Sequence, residues 1–440
     1  MNILIVSFSY APMLSPQAFR WAAISRELAR RGHAVTVVAG WEPGCERQES
    51  DGAVIVHRVG GRFIERVRML RTRSQRQDYT SPHSTEVSKE ALRVSLSCLK
   101  RIHDVTWKKL YWPDAHCTWL FPALHRARKL VKASQIDAVV TVDFPFTCHI
   151  VGVALKNEFP QLRWLCDMSD PFSYLEPSPP NNRALYGWLN RRLERHVFER
   201  TDWMVVRYGQ MENRYSELYP HCRAKIVVVP DLHTTSSNEA PPVMSSHAQP
   251  GKPRRRMLAF VGTLDGRSRD PRSFLEGCRR IIERGAGSGF EVHFYGKIGN
   301  CDAVFDEYQA FYNHWLFVHG PVVQRVALKV IQEADVLVNI GNRYQCQTPS
   351  KLIDYASTGN PILNIVGCSS DLSIGALSGY KAALHLVSNN GALSEAQISK
   401  MEDFLHTQQG MPSGEVRAWM EKFALSPIVS SYESYLTKGR

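Results

Sequence analysis

At 440 residues the chain is longer than one hydrophobic core normally supports, and its 44% apolar and 22% charged residues are ordinary for a globular protein. Composition therefore predicts two domains, each with a core of its own. The ten cysteines are scattered without a close pair, which argues against a disulfide framework or a tetrahedral zinc site. We expect a cytoplasmic protein, because Met1–Val6 lacks the basic start of a signal peptide and is typical of a first strand.

The positive charge is concentrated in one region. The formal net charge is +12, and residues 62–132 hold sixteen Lys and Arg against six Asp and Glu. Aromatic and aliphatic residues lie among these cations, which favours peripheral contact with an anionic membrane surface at the inner face of the cell membrane. A solvated basic face and a nucleic-acid site are the alternatives, and we predict no nucleic-acid partner. No membrane span is predicted, because Asp143, Pro145 and His149 interrupt the longest apolar stretch.

The first half of the chain alternates short apolar runs with helical patterns, which is typical of parallel sheets. Ile3–Ser7 and Val35–Ala39 are predicted strands on either side of a helix that is capped at Ser15-Pro16 and stopped by Gly32. Further strands are predicted at Val54–Arg58, Ala138–Val142, Arg163–Asp167, Trp203–Arg207 and Ile226–Val229, with helices near 90–110, 121–134, 147–157 and 184–200. We expect residues 1–230 to form a Rossmann-like domain.

The second half repeats this alternation after a stretch rich in Ser and Pro. Residues 231–256 are predicted to be a linker or surface loop. Strands follow at Leu258–Val261, Glu291–Tyr295, Leu316–Val318, Val336–Ile340, Pro361–Ile365 and Ala383–Val387. We therefore predict an α/β protein with two Rossmann-like, doubly wound domains facing a cleft, the second covering residues 257–415. Residues 416–440 are expected to form a helical tail, and its return to the N-terminal domain is left open.

The segment 334–366 has the pattern of an anion site. The buried strand Val336–Ile340 is broken by Gly341 and Asn342, where a ligand has access to the backbone. Thr348 is the predicted N-cap of the next helix, with Pro349 at its first position. The positive end of this helix and the charge of Lys351 attract phosphate.

This segment resembles the donor-binding signature of glycosyltransferases with the GT-B fold, in particular the retaining enzymes of family 4. Its Pro-Ser-Lys-Leu form, at residues 349–352, is similar to subgroups that act on surface polysaccharides. The resemblance implies a nucleotide-sugar donor, linked to UDP, GDP or dTDP, and places Asp354 at the ribose. It also implies that the donor site includes Gly341, Asn342, Pro349 and Ser350. Cys346 stands where the family has a first acid, so the sugar-ring contact is missing or comes from Gln345 or Gln347.

The resemblance extends to the start of each predicted domain. Ser7–Pro12 and the following helix are similar to family 4 openings, although Met13–Pro16 replaces the Gly-Gly loop of many relatives. After Phe260–Leu264, a glycine turn and clustered arginines resemble the family's diphosphate site, with a solvated basic loop as the alternative. The residues implicated there are Gly262, Thr263, Arg267, Arg269 and Arg272. Gly296 and Val322 match places where relatives hold the nucleotide base through backbone groups, though a strand-end glycine also serves turns alone.

The acceptor side has weaker candidates, in a first domain that the resemblance makes acceptor-binding. Asp170, in Asp-x-x-Asp-Pro, either orients the acceptor hydroxyl or caps the turn before Pro171. His116 and His149 are further candidates, and a structural role is the alternative for each. The catalytic set is therefore Arg267, Lys351, Asp170 and His116.

Other enzyme classes lack their usual motifs. The sequence has no Gly-x-Ser-x-Gly elbow, Walker loop, His-Glu-x-x-His helix or Gly-x-Gly-x-x-Gly after the first strand. An Asp-x-Asp pair is also absent, so we predict no metal and no cofactor beyond the donor. The hypothesis is a hexosyltransferase that transfers sugar, with retention, to a lipid-linked or saccharide acceptor in cell-surface polysaccharide synthesis. A catalytically silent partner of a polysaccharide assembly complex and a sugar-nucleotide 2-epimerase are the alternatives.

Overall fold

The chain divides into two compact units. A computed structural model describes residues 1–13, 15–61, 110–175, 179–233, 255–266, 268–286, 289–342, 351–389 and 391–437. One unit comprises Met1–Leu232 with Leu425–Arg440, and the other His233–Ala424. The predicted helix near 90–110, most of the basic stretch 62–132 and all but the ends of 231–256 lie outside the described residues.

Each unit is built on a largely parallel sheet. The strands of the first are β1 (Asn2–Val6), β2 (Ala34–Gly40), β3 (Gln48–Asp51), β4 (Val54–Val59), β5 (Ala138–Val142), β6 (Arg163–Asp167), β7 (Trp203–Val206) and β8 (Ile226–Val228). Those of the second are β9 (Arg256–Val261), β10 (Phe290–Tyr295), β11 (Leu316–Gly320), β12 (Val336–Ile340), β13 (Ile362–Val366) and β14 (Ala383–Val387). In the described residues, only β3 pairs antiparallel with its neighbour, β4. Since β3 has the sequence Gln-Glu-Ser-Asp, no apolar pattern marks it as a strand.

The helices of the described residues connect these strands. In the first unit they are α1 (Pro16–Arg30), α2 (Leu120–Ala133), α3 (Thr147–Glu158), α4 (Arg183–Arg200) and α5 (Gly209–Leu218). The second contains α6 (Arg272–Ile281), α7 (Asp302–Asp306), α8 (Gln324–Glu333), α9 (Lys351–Ser357), α10 (Leu372–Ala376), α11 (Glu395–Thr407) and α12 (Ser413–Met420). The last helix, α13 (Leu425–Thr437), belongs to the first unit. Within the described part of the chain, every helix is too short or too polar to cross a membrane.

In both sheets the direction in which successive strands are added reverses at one point. The strand orders are β3-β4-β2-β1-β5-β6-β7-β8 and β11-β10-β9-β12-β13-β14. Chain connections move to one side of β1 and β9 first, and then to the other side through β5 and β12. Each unit is therefore a doubly wound, Rossmann-like sheet with a topological switch point, where ligands bind in open α/β folds. Strands β5, β12 and β13 are buried at every residue because helices cover both faces.

The C-terminal helix α13 is fixed to the first unit by a buried polar cluster. Tyr432 donates its hydroxyl hydrogen to Asp167 Oδ1 at 2.7 Å and accepts from Arg20 Nη2 at 3.0 Å. Arg207 binds both carboxylate oxygens of Asp167, at 2.8 and 2.7 Å. Burial would raise the pKa of Asp167, but the Arg207 charge lowers it below its usual value. The tail expected at 416–440 thus divides: residues 416–424 belong to the second unit, whereas α13 packs on α1 in the first.

We predict that Tyr432→Phe lowers the free energy of unfolding of the first unit by about 1–3 kcal/mol, the cost of leaving buried polar partners unsatisfied. Urea unfolding measures the change. The control is Tyr435→Phe on the same helix, because the Tyr435 ring packs on Trp203 and its hydroxyl contributes no bond to this cluster. Equal stabilities of the two variants would contradict the assigned role of the hydroxyl.

Candidate functional site

A cavity of about 570 Å³ opens at the carboxyl ends of β9, β10 and β12 in the second unit. Its lining comprises Phe260, Val261, Gly262, Thr263, Arg269, Tyr295, Gly296, Lys297, Pro321, Val322, Ala327, Asn339, Ile340, Lys351, Leu352 and Tyr355. The cavity therefore lies at the switch point of this sheet, and its size is within the range of small-molecule sites.

The cavity forms where β9 and β12 stop pairing. Their register ends with Leu337 opposite Ala259, two residues before the end of β9. Beyond that point the hydroxyl of Tyr355 accepts from the N–H of Val261 at 2.9 Å and donates to its carbonyl at 3.1 Å. One side chain thus satisfies both backbone groups that a neighbouring strand would otherwise bind.

Two glycines allow the backbone to approach closely at the floor of the cavity. Gly296 has φ of 127°, and a Cβ atom there would lie 1.8 Å from the carbonyl oxygen of Gly262. The N–H of Gly262 donates to the carbonyl of Tyr295 at 2.8 Å. Gly296 is therefore required for conformation and for space.

Two cationic side chains line the cavity in a partly desolvated environment. Arg269 donates from Nε to Asn342 Oδ1 at 2.8 Å. Burial lowers the pKa of Arg269. Burial also lowers the pKa of Lys351, the charge of Arg269 lowers it further, and Asp354 opposes both effects. Because the Arg269 charge disfavours the charged form of Lys351, an anion bound between them would relieve desolvation and repulsion together.

A buried carboxylate supports this wall of the cavity. Asp371 is 3% exposed, and its Oδ1 accepts from the N–H of Ser373 at 2.8 Å. Its Oδ2 lies against Gly341, where a Cβ atom would come within 2.8 Å of it. Burial raises the pKa of Asp371, and the Arg269 charge acts in the opposite direction. Asp371 is thus placed to stabilise the charged form of Arg269.

The residues predicted for the donor site fall into four groups: those that line the cavity, those beside it, those away from it, and those outside the described residues. Six line the cavity: Gly262, Thr263, Arg269, Gly296, Val322 and Lys351. Gly341 and Asn342 lie beside it, because Gly341 follows the lining residue Ile340 and Asn342 accepts from Arg269. Arg272 is exposed and faces Asp270 at 3.7 Å. Asp354 is not among the cavity-lining residues and lies 3.4 Å from His233 Nδ1. Arg267, Pro349, Ser350, Cys346 and the predicted cap Thr348 lie outside the described residues.

Sequence reasoning missed Tyr355, Asp371 and Asn339. Tyr355 lies four residues after Lys351, so both point from the same face of α9, and this spacing was a usable signal. Asn339 interrupts an apolar strand and donates to Asn364 Oδ1 at 2.7 Å on the neighbouring strand. Asp371 gives no signal in the sequence, because only the fold brings it to Gly341.

In the first unit, Asp143 and Asp170 lie at the carboxyl end of the sheet. Asp143 accepts from the N–H groups of Ser169, at 2.8 Å, and Asp170, at 3.1 Å. Burial and the charge of Asp167 raise the pKa of Asp143 to about 7. Burial and the charge of Asp143 raise the pKa of Asp170 to about 8.

The two histidines differ in environment. The ring of His116 packs on that of Phe8, with centroids 4.3 Å apart, and the backbone N–H of His116 donates to Asp114 Oδ1 at 2.8 Å. His149 is fully buried with Nδ1 2.7 Å from Thr141 Oγ1, and burial lowers its pKa to about 3. His149 is therefore neutral at pH 7. In the described parts of the chain, no three His, Cys, Asp or Glu side chains are arranged to hold a metal ion.

Comparison with known proteins establishes the fold. No family model matches the chain, and no curated protein matches it. Among solved structures it is similar to a glycosyltransferase from Rickettsia africae ESF-5, at a TM-score of 0.55 and 10% identity, with 100% of this chain and 99% of that one covered. It is also similar to Anabaena Alr3699/HepE in complex with UDP, at a TM-score of 0.54 and 9% identity, with 99% of this chain and 100% of that one covered. A third is the UDP-GlcNAc 2-epimerase from Methanocaldococcus jannaschii, at a TM-score of 0.50 and 11% identity, with 100% of both chains covered.

At these identities the likeness concerns the fold alone. The chain has the GT-B fold of two Rossmann-like domains, and the predicted fold class is confirmed.

We predict that Gly296→Ala destabilises the second unit by about 3 kcal/mol or more, because the new methyl group meets a backbone oxygen that no rotamer can avoid. Gly320→Ala is the control: Gly320 also has a positive φ, of 69°, but a Cβ there meets nothing within 4 Å. Its cost should be about 1 kcal/mol, from φ alone. Urea unfolding of both variants is the measurement, and equal losses would show that the close approach to Gly262 is unimportant.

We predict that stability falls as pH rises from about 4 to 8, because the raised pKa values of Asp143 and Asp170 make the native state bind more protons than the unfolded chain. Each such group contributes a slope of up to about 1.4 kcal/mol per pH unit. Asp170→Asn should therefore flatten the decline. Urea midpoints at pH 5, 6.5 and 8 measure it. Glu217→Gln, which alters an exposed carboxylate on α5, should keep the wild-type slope, and a wild-type slope for Asp170→Asn would contradict the prediction.

Proposed function

We propose that the chain is a glycosyltransferase that binds a nucleotide-sugar in the cavity of the second unit. The observation that carries the proposal is that Arg269 and Lys351 both line a cavity at the switch point of the sheet. Two desolvated cations favour a ligand with two adjacent negative charges, and a diphosphate meets that requirement. Gly262 and Gly296 bring the backbone close enough to contact it.

The proposed chemistry follows from where charge develops. The bond between the sugar's anomeric carbon and the diphosphate oxygen breaks, and the acceptor oxygen bonds to that carbon. Arg269 and Lys351 stabilise the charge on the departing nucleoside diphosphate, as positioned donors do in other transfers. With retention, the acceptor enters on the face from which the diphosphate leaves, and a diphosphate oxygen receives the hydroxyl proton. The signature-like segment 334–366 supports retention.

The nucleotide and the acceptor are proposed at the level of chemical class. HepE, of similar fold, binds UDP, so UDP is the first probe, with GDP and dTDP as alternatives. We propose a hexose donor and a lipid-linked or saccharide acceptor in surface-polysaccharide synthesis, reached at the cytoplasmic membrane face. Asp170 and His116 are the proposed acceptor-side residues, and Asp354 the proposed ribose contact. Arg267, Pro349 and Ser350 complete the proposed donor site, whereas Arg272 is left out of it because it is exposed and faces Asp270.

We predict that Lys351→Ala and Arg269→Ala each lower turnover tenfold to a thousandfold, on the order expected for losing one charge-stabilising contact. Each should also weaken UDP binding, measured by calorimetry. Arg272→Ala is the matched control, since it removes the same charge from an exposed position outside the cavity. Turnover is measured as nucleotide release from a panel of UDP-, GDP- and dTDP-sugars with acceptor extracts.

The outcomes separate the alternatives. Binding that depends on Arg269 and Lys351, without release on any acceptor, favours the silent partner. Conversion of UDP-GlcNAc to its 2-epimer favours the epimerase, whose fold is similar. Equal UDP affinity for Arg269→Ala, Lys351→Ala and Arg272→Ala would refute the assigned donor site.

A further inference from the structure

The outer face of α4 in the first unit combines arginines with large apolar side chains. Its exposed residues recur every three or four positions, as expected for one side of a helix. They are Arg183, Ala184, Leu185, Trp188, Arg191, Arg192, Arg195 and Glu199. Leu185 is 50% and Trp188 59% exposed. Glu199, the last of the set, lies 3.3 Å from His221. The only acid between Arg183 and Arg195 is the buried Glu194, so that stretch of α4 presents no acid on this face.

A neighbouring leucine extends the apolar part of this face. The Tyr186 hydroxyl donates to the carbonyl of Leu110 at 2.9 Å, which places Leu110 beside the first turn of α4. Leu110 is 64% exposed. We call Leu110, Leu185, Trp188, Arg191, Arg192 and Arg195 the α4 surface.

The opposite face of α4 is held firmly. Glu194 is fully buried and accepts from the hydroxyl of Tyr219 at 2.8 Å and the N–H of Ser173 at 3.1 Å. Trp112 donates to Asn190 at 3.0 Å on the same side. The orientation of α4 is therefore fixed by its inner contacts, and the exposure of Trp188 and Leu185 follows from it.

The cations of the α4 surface differ from those of α2, the described helix in the basic stretch 62–132. Arg128 and Lys132 on α2 both pair with Glu158, at 2.6 and 2.9 Å. No carboxylate among the described residues forms an ion pair with Arg191, Arg192 or Arg195. The charge of α4 is therefore available to an external partner, whereas Glu158 neutralises part of that on α2 within the unit.

We propose that the α4 surface docks the protein on an anionic lipid bilayer. Arginines beside exposed Trp and Leu are the composition of helices that lie in a membrane interface, where the rings enter the headgroup region and the cations meet lipid phosphates. Charge complementarity selects an anionic bilayer over a neutral one. The inference concerns the first unit alone and stands independently of the donor cavity.

The test is flotation of the full chain with vesicles. The wild type should float with equimolar phosphatidylcholine and phosphatidylglycerol and not with phosphatidylcholine alone. Arg191→Gln with Arg192→Gln and Arg195→Gln should lower the partition coefficient by about a hundredfold, from the contribution of each cation near a charged surface. Leu185→Ser with Trp188→Ser should lower it at least about tenfold.

A control variant removes the same charge elsewhere. Arg128→Gln with Lys129→Gln and Lys132→Gln also deletes three cations and should float almost as the wild type does. Equal losses for the two triple variants would overturn the proposal, because net charge alone would then explain binding. Circular dichroism verifies that each variant is folded.

Other occupants are outcomes of the same experiments. A wild-type dimer by light scattering that becomes monomeric in the Leu185→Ser, Trp188→Ser variant would overturn the proposal in favour of a self-interface. Nucleic-acid binding without flotation would also overturn it. UDP affinity, measured in parallel, is unaffected in every outcome if the donor site is correct, so the two proposals fail separately.

Discussion

The candidate site depends on the separation of β9 from β12 at the switch point of the second sheet. Doubly wound connectivity sends the chain to opposite sides of β9, so helices and loops from both sides converge there without covering it. This separation leaves the backbone N–H and carbonyl of Val261 without a strand partner, and each unsatisfied buried group would destabilise the fold by roughly 1–3 kcal/mol. Tyr355 removes that destabilisation with one hydroxyl. Because Tyr355 and Lys351 share a face of α9, the element that stabilises the opening also carries a cation into it.

Desolvation is what makes the two cations chemically useful. In water, a charge pair a few ångströms apart interacts weakly, whereas the same pair in a partly buried site interacts several times more strongly. Burial lowers the pKa values of Arg269 and Lys351, because desolvation disfavours their charged forms. Asn342 holds Arg269 by a hydrogen bond, and the charge of Asp371 favours the charged form of Arg269. A diphosphate would replace the missing solvation at both cations together.

Local pattern predicted most of the fold and part of the site, and long-range contacts account for the rest. Buried strands such as Val336–Ile340 are visible as apolar runs because helices cover both faces, whereas the polar edge strand Gln48–Asp51 is not. Gly262 and Lys351, which were predicted from a glycine turn and from the positive end of a helix, both line the cavity at the carboxyl edge of the sheet. Asp371 could not be found this way. Its contact with Gly341 depends on the register of β12 with β13, which the sequence does not state.

Long-range contacts also limit the prediction of charged surfaces from sequence. Counting charges along the sequence singled out residues 62–132, because cations are densest there. Density does not distinguish a cation that neutralises a neighbour from one that faces outward. Glu158, far from α2 in sequence, lies between Arg128 and Lys132 and neutralises part of their charge. On α4 the only carboxylate in the middle of the helix, Glu194, is turned inward to tyrosine hydroxyls. The outward arginines are thus left uncompensated by the packing of their own helix, which the number of cations along the sequence does not reveal. Most of residues 62–132 lies outside the described residues, so the membrane contact expected there stays a prediction.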